Sequence, residues 1–91
     1  MSAERIARIR AALAVLQPAR LDIRDDSAKH AGHAGARDGR GHFGVLIVSS
    51  AFQGLSLVQR HKRVYAAMGS LMDSDVHALA ISAKTPDEAG E

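Results

Sequence analysis

Histidine is the residue type through which this chain could do metal chemistry. Its 91 residues include five histidines and no cysteine. Neutral imidazole is a good ligand for borderline metals such as iron and zinc, whereas many metal sites also need thiolates. The chain therefore cannot supply a thiolate ligand, a thiol nucleophile or a disulfide by itself. The histidines lie at positions 30, 33, 42, 61 and 77.

Two of these histidines, His30 and His33, form an H-x-x-H pair in a glycine-rich segment, residues 27–41. Two imidazoles are too few for a structural zinc site, which usually has four protein ligands. The pair is therefore either part of a solvated loop or part of a zinc or nickel site that uses a third histidine. His77 follows a turn. A histidine in such a position more often forms a hydrogen bond with the turn backbone than carries out chemistry. His42 is expected to have a structural role at the start of a strand.

A basic run, Arg60-His61-Lys62-Arg63, lies in a predicted helix. Its arginines and lysine are expected to point outward, where they could contact phosphates or an acidic partner, although such runs are more often simply solvated. His61 is expected to be half-buried on the apolar stripe beside Val58 and Tyr65. With 12 basic and 10 acidic residues and few aromatics, the composition is weak evidence for nucleic-acid binding. Without a catalytic triad, a phosphate-binding glycine motif or an acid–base carboxylate pair, we expect no enzymatic activity.

The length and patterning predict a single α/β (α+β) domain over residues 1–91. Strands 21–24 and 42–49 are expected to pair antiparallel, and strand 76–83, which follows a helical crossover, to pair parallel. This order gives a three-stranded mixed sheet backed by helices. The longest run of large apolar side chains, Val45–Val48, is far shorter than the roughly 20 residues that cross a bilayer. The remaining predicted elements are a helix over 3–16, a long flexible loop over 27–41, a helix over 56–72, a turn over 73–75 and a frayed tail over 85–91, with an ordered core over about 3–84.

Five ordered sequence blocks together resemble the BolA family over residues 4–88. The resemblance implies a type II KH-like fold that lacks the functional G-x-x-G loop, in agreement with the predicted element order. The blocks are Asp26-Ser27-x-x-His30, Gly41-His42-Phe43, Phe52-x-Gly54-Leu55-Ser56, Arg60-His61-Lys62-Arg63-Val64-Tyr65 and Val76-His77-Ala78-Leu79.

The resemblance implies a non-enzymatic adaptor that binds a monothiol glutaredoxin and shares a [2Fe–2S] cluster with it, in cluster assembly, trafficking or iron regulation. His77 and His30 would be this chain's ligands, with His33 as a substitute for His30. The glutaredoxin and its glutathione would bring the thiolates, so no cluster is expected in the isolated chain.

The alternative implied by the resemblance is a DNA-binding transcriptional regulator that uses the basic helix face, residues 60–63. For the chain alone, we expect a monomer or a weak homodimer. We also expect a cytoplasmic location and no membrane association.

Overall fold

The protein is described by a computed structural model that covers residues 2–27 and 40–91. Most of the predicted loop 27–41 lies outside the described residues, including His30 and His33. Two short 3-10 turns, Ala14–Leu16 and Ser50–Phe52, follow the first helix and the second strand. The elements, in chain order, are α1 (Ser2–Leu13), β1 (Arg20–Asp25), β2 (Gly41–Val48), α2 (Leu57–Met68), α3 (Leu71–Ser74), β3 (Val76–Lys84) and α4 (Pro86–Ala89).

The sheet is three-stranded and mixed, as the sequence predicts, with β2 in the centre. β1 pairs antiparallel with β2, and β3 pairs parallel with it. Parallel neighbours need a crossover connection, which α2 and α3 provide. β2 is rich in β-branched and apolar residues because it is the strand with neighbours on both edges.

The core lies between one face of the sheet and the helices α1 and α2. Ile9 and Leu13 of α1 are fully buried, and so are Ile47 of β2 and Val64 of α2. These side chains belong to one contiguous cluster, so the helices are held on the sheet mainly by apolar burial. Within the described part of the chain, no helix has the length and apolar character that a bilayer crossing requires.

α2 has a well-defined start and an earlier end than the sequence suggests. Ser56 caps it, since its hydroxyl accepts the N–H of Gln59 at 3.2 Å and its own N–H donates to Gln59 Oε1 at 2.8 Å. The predicted continuation to residue 72 is wrong, because Gly69 adopts a φ of 55°, outside the right-handed helical region. The turn predicted over 73–75 is wrong in part, since α3 includes residues 73 and 74.

The apolar stripe predicted for α2 is wrong in part, although His61 is half-buried as expected. Val58 and Tyr65 are 64% and 42% exposed, whereas Arg60, Val64 and Met68 are buried. Both sets of residues have the three- or four-residue spacing of one helix face, so periodicity does not distinguish them. The buried set is the one that contains Arg60, a charged residue that was expected to point outward.

Arg60 is buried because the protein provides acceptors for its guanidinium. Its side chain is 9% exposed. Nε donates to the carbonyl oxygen of Leu55 at 3.0 Å, and Nη1 donates to that of Ala83 at 3.1 Å. Nη1 and Nη2 also donate to the two carboxylate oxygens of Glu88, which makes a bidentate ion pair. A buried charge needs such partners to offset its lost hydration.

The segment predicted to be a frayed tail instead forms α4. Thr85 caps this helix, as its hydroxyl accepts the N–H of Glu88 and its N–H donates to the Glu88 carboxylate at 2.9 Å. The Arg60 hydrogen bond, helped by the Thr85 N–H, holds the pKa of Glu88 at about 2. The same pairing raises the pKa of Arg60. We call the contact of Arg60 with Glu88 the α2–α4 ion pair.

The α2–α4 ion pair predicts a specific acid sensitivity. Because the pKa of Glu88 falls from an ordinary 4.5 to about 2 on folding, its contribution to stability is complete above pH 4.5 and is lost as the pH falls toward 2. Glu88→Gln should lower the melting temperature by several degrees at pH 7, with a smaller further decrease between pH 4.5 and 2 than in the parent protein. Thermal unfolding followed by circular dichroism across this range measures both effects.

The matched control is Asp87→Asn, which removes an exposed carboxylate from the same helical turn. It should keep the parental melting temperature and pH profile. A Glu88→Gln protein with the parental pH profile would contradict the assignment.

Candidate functional site

His77 is positioned by a β-bulge at the start of β3. Gly41 pairs with Val76 and His42 pairs with Ala78, so His77 is the additional residue of the irregularity. In a regular strand, side chains two residues apart lie on the same face, so His77 would share the face of Leu79. In the structure Leu79 is buried and His77 is exposed, because the bulge resets the alternation between them. A bulge commonly redirects a side chain in this way.

The redirected ring of His77 lies beside a second imidazole. Its centroid is 5.2 Å from that of His42, at an interplanar angle of 51°. Arg40 Nη1 donates to the carbonyl oxygen of Met72 at 3.1 Å, and Arg40 Nη2 lies 3.2 Å from His77 Nδ1. We call Arg40, His42 and His77 the histidine corner. The sequence analysis does not single out Arg40, and it expects only a structural role for His42; the structure places both beside His77.

The residues on either side of the segment 28–39 are hydrogen-bonded to each other at this corner. The N–H of Asp26 donates to the carbonyl oxygen of His42 at 2.7 Å. The N–H of His42 in turn donates to the hydroxyl of Ser27 at 3.1 Å. The backbone of the histidine corner is therefore fixed to the end of β1 as well as to β3.

Asp75 fixes the turn that precedes β3. Its carbonyl oxygen accepts the N–H of Gly41 at 2.9 Å. Its carboxylate accepts the Ser74 hydroxyl at 2.6 Å and Arg8 Nη1 at 2.6 Å, and Arg5 lies 3.8 Å away. The Ser74 hydrogen bond, followed by that of Arg8, lowers the pKa of Asp75. These contacts connect α1 to the starts of β2 and β3, where the corner lies.

Removal of the Asp75 carboxylate should loosen the bulge. Asp75→Ala leaves the backbone acceptor in place but breaks its connection to Arg8 and Ser74. We expect the Gly41 amide, which donates to that backbone, to exchange its hydrogen at least several-fold faster, as measured by NMR. Asp73→Ala, which removes an exposed carboxylate two residues earlier, is the control and should leave the rate unchanged. Equal exchange rates in the two variants would show that Asp75 does not hold the turn.

The other predicted site residues lie elsewhere. His61 is half-buried and lines a groove with residues 81–84 of β3, whereas His77 is at the start of that strand. Lys62 and Arg63 are exposed, as expected, but Arg60 is committed to the α2–α4 ion pair and does not extend the basic face. His30 and His33 lie outside the described residues. Among residues 2–27 and 40–91, no cluster of three or more histidine, cysteine, aspartate or glutamate residues could hold a metal ion.

A comparison with known protein families identifies the family of this chain. Residues 12–88 match the model of the family described as BolA-like protein. The chain belongs to the BolA family. The members of this family are not enzymes, which agrees with the expected absence of catalytic machinery.

Individual relatives cover most of the chain. The BolA-like chain is 47% identical over 77 residues to Protein BOLA1, chloroplastic, of Arabidopsis thaliana, which covers 81% of this chain and 48% of that protein. The chain thus spans about half the length of this relative. It is 36% identical over 72 residues to the DNA-binding transcriptional regulator BolA of Haemophilus influenzae, which covers 79% of this chain and 67% of that protein.

A solved structure supports the fold of the BolA-like chain. The BolA domain of SufE1 from Arabidopsis thaliana superposes with a TM-score of 0.81 at 46% identity, over 92% of this chain and 94% of that one. The mixed sheet with its helices is therefore the fold seen in BolA structures. Membership of the family is established by sequence and by fold together.

Proposed function

We propose that the chain acts as one BolA-like domain, residues 1–91, that binds a monothiol glutaredoxin and shares a bridging [2Fe–2S] cluster with it. The observation that carries this proposal is the exposed imidazole of His77, which the bulge directs away from the core. An exposed ligand on a rigid strand is suited to a cluster held jointly with a second protein. The biological role would be cluster assembly, trafficking or iron regulation.

The donor chemistry of the chain fits half of such a site. A [2Fe–2S] cluster takes four ligands, which are usually thiolates, and this chain has no cysteine. Imidazole can replace thiolate on one iron, and this raises the reduction potential. His77 would ligate from this side, and the glutaredoxin with its glutathione would supply sulfur. The cluster therefore depends on the partner, and the isolated chain is proposed to be a monomer or a weak homodimer without it.

His30 is the proposed second ligand, with His33 as its substitute. Two residues lie between Ser27 and His30, so their Cα atoms are three steps apart along the chain and at most about 11 Å apart. Ser27 accepts a hydrogen bond from the backbone of His42 in the histidine corner. Covalent connectivity thus keeps His30 within reach of the region that holds His77, which supports their use in one site. A cytoplasmic location is part of the same proposal.

The test of this proposal is the spectrum of the complex. We expect His77→Ala to change the visible absorption and circular dichroism of the cluster-containing complex, purified anaerobically with a monothiol glutaredoxin, and to reduce its cluster content several-fold. His61→Ala, which removes an imidazole near the other end of β3, is the matched control and should leave both unchanged. Identical spectra for His77→Ala and the parent complex would exclude His77 as a ligand.

A second candidate function is DNA binding through α2. It is supported by the name of the Haemophilus influenzae relative and by the exposed Lys62 and Arg63 on a helix without acidic residues. Arg60 is left out of this candidate, because its guanidinium is buried against Glu88. Two accessible cations give a smaller electrostatic footprint than the four-residue face 60–63 would have given.

DNA binding of this kind should depend on salt and on these two cations. A Lys62→Ala/Arg63→Ala protein should lose affinity to a similar extent for all sequences, and the slope of log affinity against log salt should decrease by about two. The control is Arg20→Ala/Arg24→Ala, which removes two exposed cations from β1. An equal loss in both double variants would indicate non-specific attraction and exclude α2 as the DNA-binding element.

A further inference from the structure

Arg40 contacts His77 in a way that decides which ring nitrogen carries the proton. The Arg40 guanidinium has only N–H donors and no acceptor. At 3.2 Å from Nη2, Nδ1 of His77 therefore accepts this hydrogen bond with its lone pair. A neutral imidazole with an unprotonated Nδ1 carries its proton on Nε2. The contact with Arg40 thus selects the Nε2–H tautomer of His77.

This tautomer has no nitrogen available for a metal. Nε2 carries a proton, and the lone pair of Nδ1 is occupied by Arg40. Ligation through Nε2 requires the proton to move to Nδ1, where a metal-bound histidine normally donates to an acceptor. An N–H on Nδ1 would face the N–H of Arg40, and two donors do not form a hydrogen bond. Ligation through either nitrogen therefore requires Arg40 to withdraw.

We propose that Arg40 is a positioning residue that keeps His77 in a tautomer unable to bind a metal until a partner displaces the guanidinium. Where it concerns ligation, this inference rests on the function proposed above. The hydrogen bond from Arg40 Nη1 to the Met72 carbonyl oxygen, at 3.1 Å, fixes the guanidinium against the segment that precedes β3.

The first experiment measures the tautomer in the isolated protein. Long-range ¹H–¹⁵N NMR of the imidazole side chains should show His77 with an unprotonated Nδ1 and a protonated Nε2. Arg40→Met keeps the apolar stem but removes the donors, and the preference for the Nε2–H tautomer should fall about tenfold, since a hydrogen bond to a charged group contributes at least that factor. The backbone amide spectrum checks that the variant is folded, and Arg20→Met, which removes an arginine paired with Asp22 and Glu91, is the control.

Two results of this experiment would overturn the proposal without reference to any partner. One is a parent protein in which Nδ1 of His77 carries the proton, a result that requires no variant. The other is an Arg40→Met protein in which the ¹⁵N chemical shifts of the His77 ring equal those of the parent protein.

The second experiment titrates a cluster-loaded monothiol glutaredoxin with each protein and follows the visible circular dichroism. Arg40→Met should reach the half-point at an about tenfold lower concentration than the parent, and the spectral change should require His77. If Arg40→Met binds no more tightly while His77→Ala still alters the spectrum, the role of Arg40 in ligation is wrong and the proposed function stands. If His77→Ala is without effect, the proposed function fails, and the tautomer measurement alone decides whether Arg40 positions His77.

Discussion

The contacts of Asp75 hold the turn that leads into the bulge between the first residues of β2 and β3. The strands pair in parallel, and a regular register would place His77 on the face of the sheet that packs against the helices. The Asp75 carbonyl oxygen binds the N–H of Gly41, while its carboxylate binds Arg8 of α1. These contacts fix the turn before β3 in a position where the strand contains one additional residue. His77 is exposed because it is this additional residue.

The opposite end of β3 is organised by the α2–α4 ion pair. Arg60 occupies a core-facing position of α2 and connects the carbonyl oxygen of Ala83 to the carboxylate of Glu88. The pair holds the C-terminal helix on the domain, and it removes one cation from the surface that could meet a partner. β3 is therefore fixed at both ends by an arginine–carboxylate contact, and the histidine corner lies at only one of them.

The proposed function and the inference about Arg40 both concern the ring nitrogens of His77. The first uses them as metal ligands, and the second explains what keeps them from binding a metal in the free protein. Without cysteine, the chain has no thiolate to offer, so an iron–sulfur site that uses its imidazoles would need a partner to supply the sulfur ligands. His77 supplies a donor in an exposed position. Arg40 occupies the lone pair of that donor in the structure. A protein that shares a metal cluster only with its proper partner benefits from a ligand that is unavailable in the free state.

The amino-acid sequence by itself determined the fold class, the order of the strands and the family. The apolar periodicity of α1, the β-branched run of β2 and the capping residue Ser56 are local signals, and local backbone preferences are sufficient to read them. The absence of cysteine was equally plain, and together with the family resemblance it led to the proposal that a second protein supplies the sulfur ligands.

Only the tertiary structure decided which residues come together. The stripe that contains Val58 and the stripe that contains Arg60 have similar helical spacing, and the choice between them depended on Glu88, which is 28 residues further along the chain. The contact between the rings of His42 and His77 depended on one additional residue in β3. A shift of one residue in a strand moves each side chain to the other face of the sheet. Such contacts join positions that are distant in sequence, so no local pattern could specify them.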